Sequence, residues 1–538
     1  MKNNWWTSET IYQIYPKSFR DSNNDGIGDI QGIISKLDYL ENLGIGGIWM
    51  SPIFKSPQAD NGYDISDYED IDPIFGNMDD FDELISKAKE KNIKIILDLV
   101  LSHTSDEHPW FIEALKGEDN KYHDYFIWRK GEKDKLPNGA ISAFGGSAWE
   151  YVESLNKYYF HEFHTKQPSL NWENPDMRKN LYAMINRWIK KGVAGFRLDV
   201  IDTVAKNVDK GNMVVYPDVY KYIDELSQET FQRYNAMSVG EVWSANYDNA
   251  SIWANRDGSK LSMIFTLQHM ILDQGENKFD IKNLNVPKFR EIFSKWQSNL
   301  YSKAWQANVL ENHDVPRIVS RWGNDTKYHD ESAKMFANIQ LSLMGTPFIY
   351  QGQEIGMTNA YWNDIDNYDD IESLNYYRES IEKGIEKDEI MKNIKTKSRD
   401  NARTPMQWND SKYAGFSNVK PWLNINENYL NINVESQLKD KNSILNYYKQ
   451  MIELRKKYEV FIDGKFEILF DEYDKIFAFK RLNDNEEIII INNFSEDNIE
   501  LNGIEAFKDY EIIIHNYDSL GSFLRPYEAL IFYRKCRL

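Results

Sequence analysis

Eight short β-rich runs, separated by stretches with helical spacing, constrain this chain more than any other feature. They are Ile11 to Tyr15, Ile45 to Met50, Ile93 to Val100, Gly195 to Val200, Met237 to Val242, Ser262 to Thr266, Asn308 to Glu311 and Pro347 to Gln351. Phe81, Leu84, Ile85 and Ala88 recur at helical intervals and lead directly into the third run. That is a helix feeding a buried strand, as in a parallel α/β fold. Eight such strands predict a closed (β/α)8 TIM barrel, with a doubly wound open sheet as the alternative.

The gap between Val100 and Gly195 is too long for one crossover. Residues 104–171, rich in aromatics and without a long amphipathic helix, read as a small domain inserted after the third strand. The barrel then comprises residues 1–103 and 172–461. Residues 362–420 form a second, charged excursion with helices, most of whose charges read as solvated surface. Ser443 to Tyr458 has helical periodicity. Beyond it come Lys465 to Phe470, Ile476 to Arg481, Glu487 to Asn492, Tyr510 to His515 and Ala529 to Tyr533. These short runs predict an antiparallel β-sandwich over 462–538.

The net charge of −20 argues against nucleic acid or an anionic membrane as partner, since phosphate binding needs clustered Lys and Arg. The one cysteine, Cys536, allows no intrachain disulfide and fits a reducing cytosol. No apolar signal core follows Met1, and the longest aliphatic run, Ile488 to Ile491, is too short to span a bilayer. The expectation is a cytoplasmic monomer acting on a small molecule.

Three carboxylates lie at the ends of expected strands: Asp199 in Gly195-Phe196-Arg197-Leu198-Asp199-Val200, Glu241 in Val239-Gly240-Glu241-Val242-Trp243, and Asp314 in Glu311-Asn312-His313-Asp314. Strand C-termini of a barrel converge on one face, so the three would share a pocket. Cleaving a glycosidic bond takes one carboxyl to protonate the leaving oxygen and another to attack carbon or activate water. Arg197, two residues before Asp199, points to the same side of its strand. It should keep Asp199 ionised and leave Glu241 with the raised pKa.

These segments resemble the α-amylase family of glycoside hydrolases, within it the oligo-1,6-glucosidase and dextran glucosidase subgroup. The resemblance also covers Asn61-Gly62-Tyr63-Asp64, Asp98 to Asp106, Gln167 to Trp172 and Arg399 to Trp408. It implies that Asp199 is the nucleophile, Glu241 the acid/base, and Asp314 the group that grips the sugar hydroxyls. His103, Arg197 and His313 would line the terminal-glucose pocket. Asp60 and Arg399 would close its far end, with Tyr63 as a stacking platform and Phe144 and Gln167 as further contacts. Val200 directly after the nucleophile goes with α-1,6 cleavage, although it also suits a strand. Trp243 would stack on the leaving sugar.

Asp21-Ser22-Asn23-Asn24-Asp25-Gly26-Ile27-Gly28-Asp29 alternates oxygen donors around a Gly turn, which suits Ca2+ or Mg2+. The resemblance implies a structural metal on Asp21, Asn23, Asp25, Asp29 and the Ile27 carbonyl, and no organic cofactor. The chain departs from the family pattern at Ser102, Ser169, Glu311 and Ala140-Ile141. Glu311 would add a charge near the pocket.

The reading is an exo-acting retaining α-glucosidase with α-1,6 preference. Trehalose-6-phosphate hydrolase or an α-1,4-preferring glucosidase are the enzyme alternatives. An inactive sugar-binding or scaffold barrel is the non-enzyme alternative.

Overall fold

In the computed structural model, which describes residues 4–536, all eight expected strands are present and close a parallel barrel. They are β1 (Ile11–Ile14), β2 (Gly47–Met50), β3 (Lys94–Val100), β4 (Gly195–Asp199), β5 (Met237–Gly240), β6 (Met263–Phe265), β7 (Gln306–Asn308) and β8 (Thr346–Tyr350). Each pairs with its sequence neighbours, and β8 returns to β1, which excludes the open sheet. Residues 1–3 of the expected barrel and 537–538 of the expected C-terminal domain lie outside the described residues.

The strands are buried almost throughout, as strands enclosed by helices must be. β7 begins earlier than the sequence suggested because it is built on polar residues. Gln306 Nε2 donates to Asn308 Oδ1 at 2.9 Å and to Met344 O at 3.1 Å. An amide ladder of this kind has no hydrophobic signature.

Helix α1 (Met78–Glu90) starts in a reciprocal capping box between Asn77 and Asp80. Helix α2 (Pro175–Lys191) is capped by Asn174, takes Pro at its first turn, and ends at the left-handed Gly192. It returns the chain from the insertion to β4. Within the insertion, Trp128–Lys130, Lys157–Phe160 and Trp149–Val152 form an antiparallel sheet in that spatial order. The second excursion carries α3 (Ile371–Glu382) and α4 (Lys387–Lys397). The helix expected near 443–458 is α5 (Ile444–Lys457), capped by Ser443.

The C-terminal strands are β9 (Lys465–Leu469), β10 (Ile476–Leu482), β11 (Glu486–Asn493), β12 (Glu511–His515) and β13 (Ala529–Lys535). They make an antiparallel domain, but as one sheet in the order β9-β10-β11-β13-β12. A facing second sheet, as a sandwich would have, is not formed by the described residues. Phe477, Phe479, Ile488, Ile490 and Ile531 pack into the core shared with the barrel. Ile476, Ala478, Ile489, Ile491 and Leu530 face the other way, under Leu501 and Leu524 from irregular segments. Both faces are therefore covered without a second sheet, which is why Ile488 to Ile491 does not alternate.

Candidate active site

Barrel register assembles the site. Asp98 of β3 sits beside Arg197 of β4, and Arg197 beside Val239 of β5. Asp199 ends β4, Glu241 follows β5, and Asp314 lies in the loop after β7. All three line one cavity of about 460 Å³ at the C-terminal face.

The Arg197 guanidinium, 2% exposed, is the hub. Nη1 donates to Asp98 at 2.7 and 2.9 Å and to Asp199 Oδ1 at 2.8 Å. Nη2 donates to Glu241 Oε2. One planar fork thus joins three carboxylates, a geometry a point-charge ammonium would not match. Sharing it this way changes the electrostatics expected for Asp199. Burial pushes its carboxyl well above the usual carboxylate range. Arg197 opposes this, while Glu241, Asp98 and Asp314 add to it. Arg197 does not by itself hold Asp199 ionised; the buried cluster competes for its charge. Burial also lifts Asp98 to about 6, against the pull of Arg197 and Tyr63.

Asp314 differs. Burial raises it, but His313 at 3.1 Å, Arg399 at 3.4 Å and Arg403 at 3.0 Å outweigh that and hold it well below the usual range. Asp314 is therefore held ionised, whereas burial pushes Asp199 the other way.

Asp60, Phe144 and Arg399 also line the cavity. The Arg399 guanidinium lies over the Phe144 ring at 5.6 Å. Burial lifts Asp60 to about 6, with Arg399 and Gln167 pulling it down. Gln167 Nε2 donates to Asp60 Oδ2 at 3.0 Å from behind the wall. His103 lines the cavity; burial takes its pKa to about 3, so it is neutral. Ser102, one of the departures, joins His103 Nδ1 at 2.8 Å. Tyr63 lines the cavity too, its ring parallel to that of His313 at 5.4 Å.

At the mouth, Trp243 is 48% exposed, and its indole N–H donates to Glu241 Oε1 at 2.9 Å. It is thus a hydrogen-bond partner of the carboxyl while its ring stays half exposed. Val200 is not a strand residue. It follows β4 in a left-handed conformation (φ 34°, ψ 45°), uncommon and strained for a β-branched side chain, and lines the cavity.

Sequence reasoning missed several groups. Asp98 and Arg403 stood inside quoted motifs without an assigned role. Asp370 caps α3 and binds Arg399 Nε at 2.8 Å. Glu372 pairs with Lys278 at 2.5 Å on the cavity wall. In a charged stretch these residues read as solvated surface, and only the packing of α3 over the mouth distinguishes them. Glu311, conversely, does not reach the pocket. It is buried behind it, bound to Arg317 at 2.7 Å and to the Ile318 N–H at 2.8 Å, so its charge is matched locally. Ile141 is 77% exposed and away from the cavity lining.

Asp21, Asn23, Asp25, Ile27 and Asp29 lie in one loop ahead of a short helix. Asp21 takes N–H groups of Asn24 at 2.7 Å and Gly26 at 2.9 Å. Asp29 caps Gly32 at 2.6 Å. Asn23 donates to Asp25 at 3.1 Å. The all-oxygen donor set fits a hard divalent cation, although its carboxylates also satisfy the loop's own N–H groups. Among the described residues no three acidic, His or Cys side chains form a ready metal cluster.

Residues 13–464 match the alpha amylase catalytic-domain family. The chain is 45% identical to an oligo-1,6-glucosidase of Bacillus cereus, covering 99% of this chain and 100% of that protein. It is 47% identical to a glucan 1,6-alpha-glucosidase of Streptococcus pneumoniae, covering 93% of each. Its structure is similar to that of Bacillus licheniformis trehalose-6-phosphate hydrolase, with a TM-score of 0.93 and 40% identity over 99% of this chain and 100% of that one.

Proposed function

The chain belongs to the α-amylase family of glycoside hydrolases, and from that premise we propose that it is an exo-acting, retaining α-glucosidase. It removes non-reducing terminal α-1,6-linked glucose from isomalto-oligosaccharides and short dextrins. The observation that carries this reading is the Arg197 fork between Asp199 and Glu241 in a cavity that Asp314, Asp60 and Arg399 also line.

Asp199 attacks the anomeric carbon while Glu241 gives a proton to the departing oxygen, leaving glucose covalently bound to Asp199. Glu241 then takes a proton from a water that attacks the anomeric carbon, breaking its bond to Asp199 and releasing glucose. Retention requires the two carboxyls to stand about 5–5.5 Å apart. The chemistry needs the proton on Glu241, whose Oε1 accepts from the Trp243 indole N–H. Asp314, firmly charged, grips sugar hydroxyls and favours the cationic transition state. His103, Arg197 and His313 orient the terminal glucose. Asp60, Arg399 and Phe144 stop the chain from continuing past it, with Gln167 holding Asp60. Tyr63 faces the sugar ring, and Val200 narrows the aglycone side.

A phosphorylated aglycone would need a free cation. Lys278 is taken by Glu372, and Arg321 and Lys397 share Asp273 at 2.6 and 2.7 Å. That favours neutral sugars.

Initial rates on isomaltose, maltose, trehalose and trehalose 6-phosphate test the proposal. Isomaltose should be fastest, with α-glucose appearing first by NMR, and Glu241→Gln should lose at least about 10³-fold. Faster maltose or trehalose 6-phosphate would replace the linkage assignment. A fully active Gln variant would remove Glu241 from its role.

We also propose that the Asp21–Asp29 loop holds a structural Ca2+ or Mg2+, and that the enzyme works as a cytoplasmic monomer. Chelation should lower the melting temperature without changing kcat, and added Ca2+ should restore it; no shift would leave the loop metal-free. Light scattering at the mass of two chains would overturn the monomer.

A further inference from the structure

β1 is buried along its whole length, yet it carries an amide. Gln13 is 1% exposed between Ile and Tyr neighbours, inside the barrel beside Trp49 and Tyr350. Burying an amide in such a place is costly unless it has a strong partner. Its short contact is to His313, Gln13 Nε2 lying 2.8 Å from His313 Nδ1, with Ser51 Oγ farther off at 3.5 Å.

The placement of the Gln13 amide nitrogen against Nδ1 favours one arrangement of hydrogens around His313. The other ring nitrogen, Nε2, stands 3.1 Å from Asp314 Oδ2 and 2.6 Å from Tyr63 Oη. Arg399, Arg403 and Arg197 help hold Asp314 ionised, so it can only accept. Hydrogen on Nε2 is the state that suits this carboxylate as a neighbour, with the Tyr63 oxygen accepting. Burial keeps the imidazole neutral, with a pKa of about 3, so Nδ1 has a bare lone pair. Only a donor can face it, which is the NH2 end of Gln13. Tyr63 Oη is then free to give its proton to Asp98 Oδ2 at 3.1 Å, where Trp49 Nε1–H also donates at 3.1 Å. Asp98 holds Arg197 through two contacts.

We propose that Gln13 is a positioning residue: its amide donates to His313 Nδ1 and fixes the imidazole as the Nε2–H tautomer. That tautomer presents its N–H towards Asp314 and frees the Tyr63 hydroxyl for Asp98, the partner of Arg197. Gln13 thereby orients the catalytic carboxylates from a strand that contributes no residue to the cavity lining. This builds on the roles proposed above for Asp199, Glu241 and Asp314, but its central readout does not depend on activity.

The groups facing the ring are Asp314 beside it, Tyr63 parallel to it, and Tyr15 and Trp49 at 6.0 and 6.2 Å. Arg197, Arg399 and Arg403 supply the surrounding charge. None offers Nδ1 another donor.

The test is 15N NMR of the histidine-labelled protein, with the His313 signals assigned by their loss in His313→Gln. In the native protein Nδ1 should be unprotonated and Nε2 protonated from about pH 5 to about pH 8. Gln13→Glu places an acceptor against Nδ1. It should yield a doubly protonated ring near neutrality and a fall in kcat/KM of about 10²-fold with a new pH dependence. Gln13→Met keeps the volume without the donor. It should give mixed tautomers and about a tenfold loss in kcat/KM while the protein stays folded. A native Nδ1–H signal, or Glu and Met variants with the native ring signals, would overturn the inference. Should the glucosidase reading fail, the native and Met spectra still decide this one.

Discussion

The two ends of the barrel bury guanidinium groups in opposite ways. At the C-terminal face, Arg197 is surrounded by carboxylates, and although burial lowers its pKa, Asp98 and Glu241 raise it further still. At the other end, Arg455 of α5 and Arg481 of β10 have only carbonyls. Arg455 donates to Leu341 O at 3.2 Å, Leu343 O at 2.9 Å and Phe461 O at 3.1 Å. Arg481 donates to Ser342 O at 2.8 Å and Gly464 O at 2.9 Å. Most of these oxygens belong to the C-terminal end of the helix over His329–Ser342 and the turn after it, where the helix dipole favours a cation. Burial pulls both groups down. The comparison separates two uses of one side chain. Where carboxylates must be buried for chemistry, Arg balances their charge. Where only chain ends need closing, it serves as a multiple hydrogen-bond donor.

The sharpest way to break this contrast is Arg197→Lys. An ammonium keeps the charge but not the fork, so kcat should fall by about 10³-fold. Activity within tenfold of native would show that charge alone suffices. Next in size is Arg455→Met, which leaves several buried carbonyls unpaired. It should cost about 3 kcal/mol of stability, read as a lower melting temperature, with kcat within about twofold of native. A large kcat loss at unchanged melting temperature would merge the two ends.

The smallest effect is in pH. Asp60 and Asp98 both sit at about 6, so kcat/KM should decline below that value by about tenfold per pH unit for each of the two that must be charged. A flat profile down to about pH 4.5 would exclude them as the acid limb. The stability sign runs the other way. The folded protein holds these protons more tightly than an unfolded Asp, whose pKa is about 3.9. It therefore binds more protons between about 4 and about 6, and their contribution to stability falls as pH rises through that window.

Much of this was readable in one dimension. The eight runs marked the barrel because strands enclosed by helices must be apolar, and the segments around Asp199, Glu241 and Asp314 are local. β7 was displaced because Gln306 and Asn308 are polar yet buried. The expected sandwich became one sheet because irregular segments, which have no periodicity, cover its outer face. Asp370 and Glu372 looked like surface charge until α3 lay over the cavity.

Sequence by itself determined which groups can donate, accept or carry charge, and that strand ends would bring them near each other, because residue chemistry and strand periodicity are local properties. Tertiary structure alone decided how charge and protons are shared among them: that one guanidinium serves three carboxylates, that Glu311 faces away, and that Gln13 meets His313. Those outcomes depend on distance and desolvation between segments far apart in the chain, and neither quantity exists until the barrel has closed.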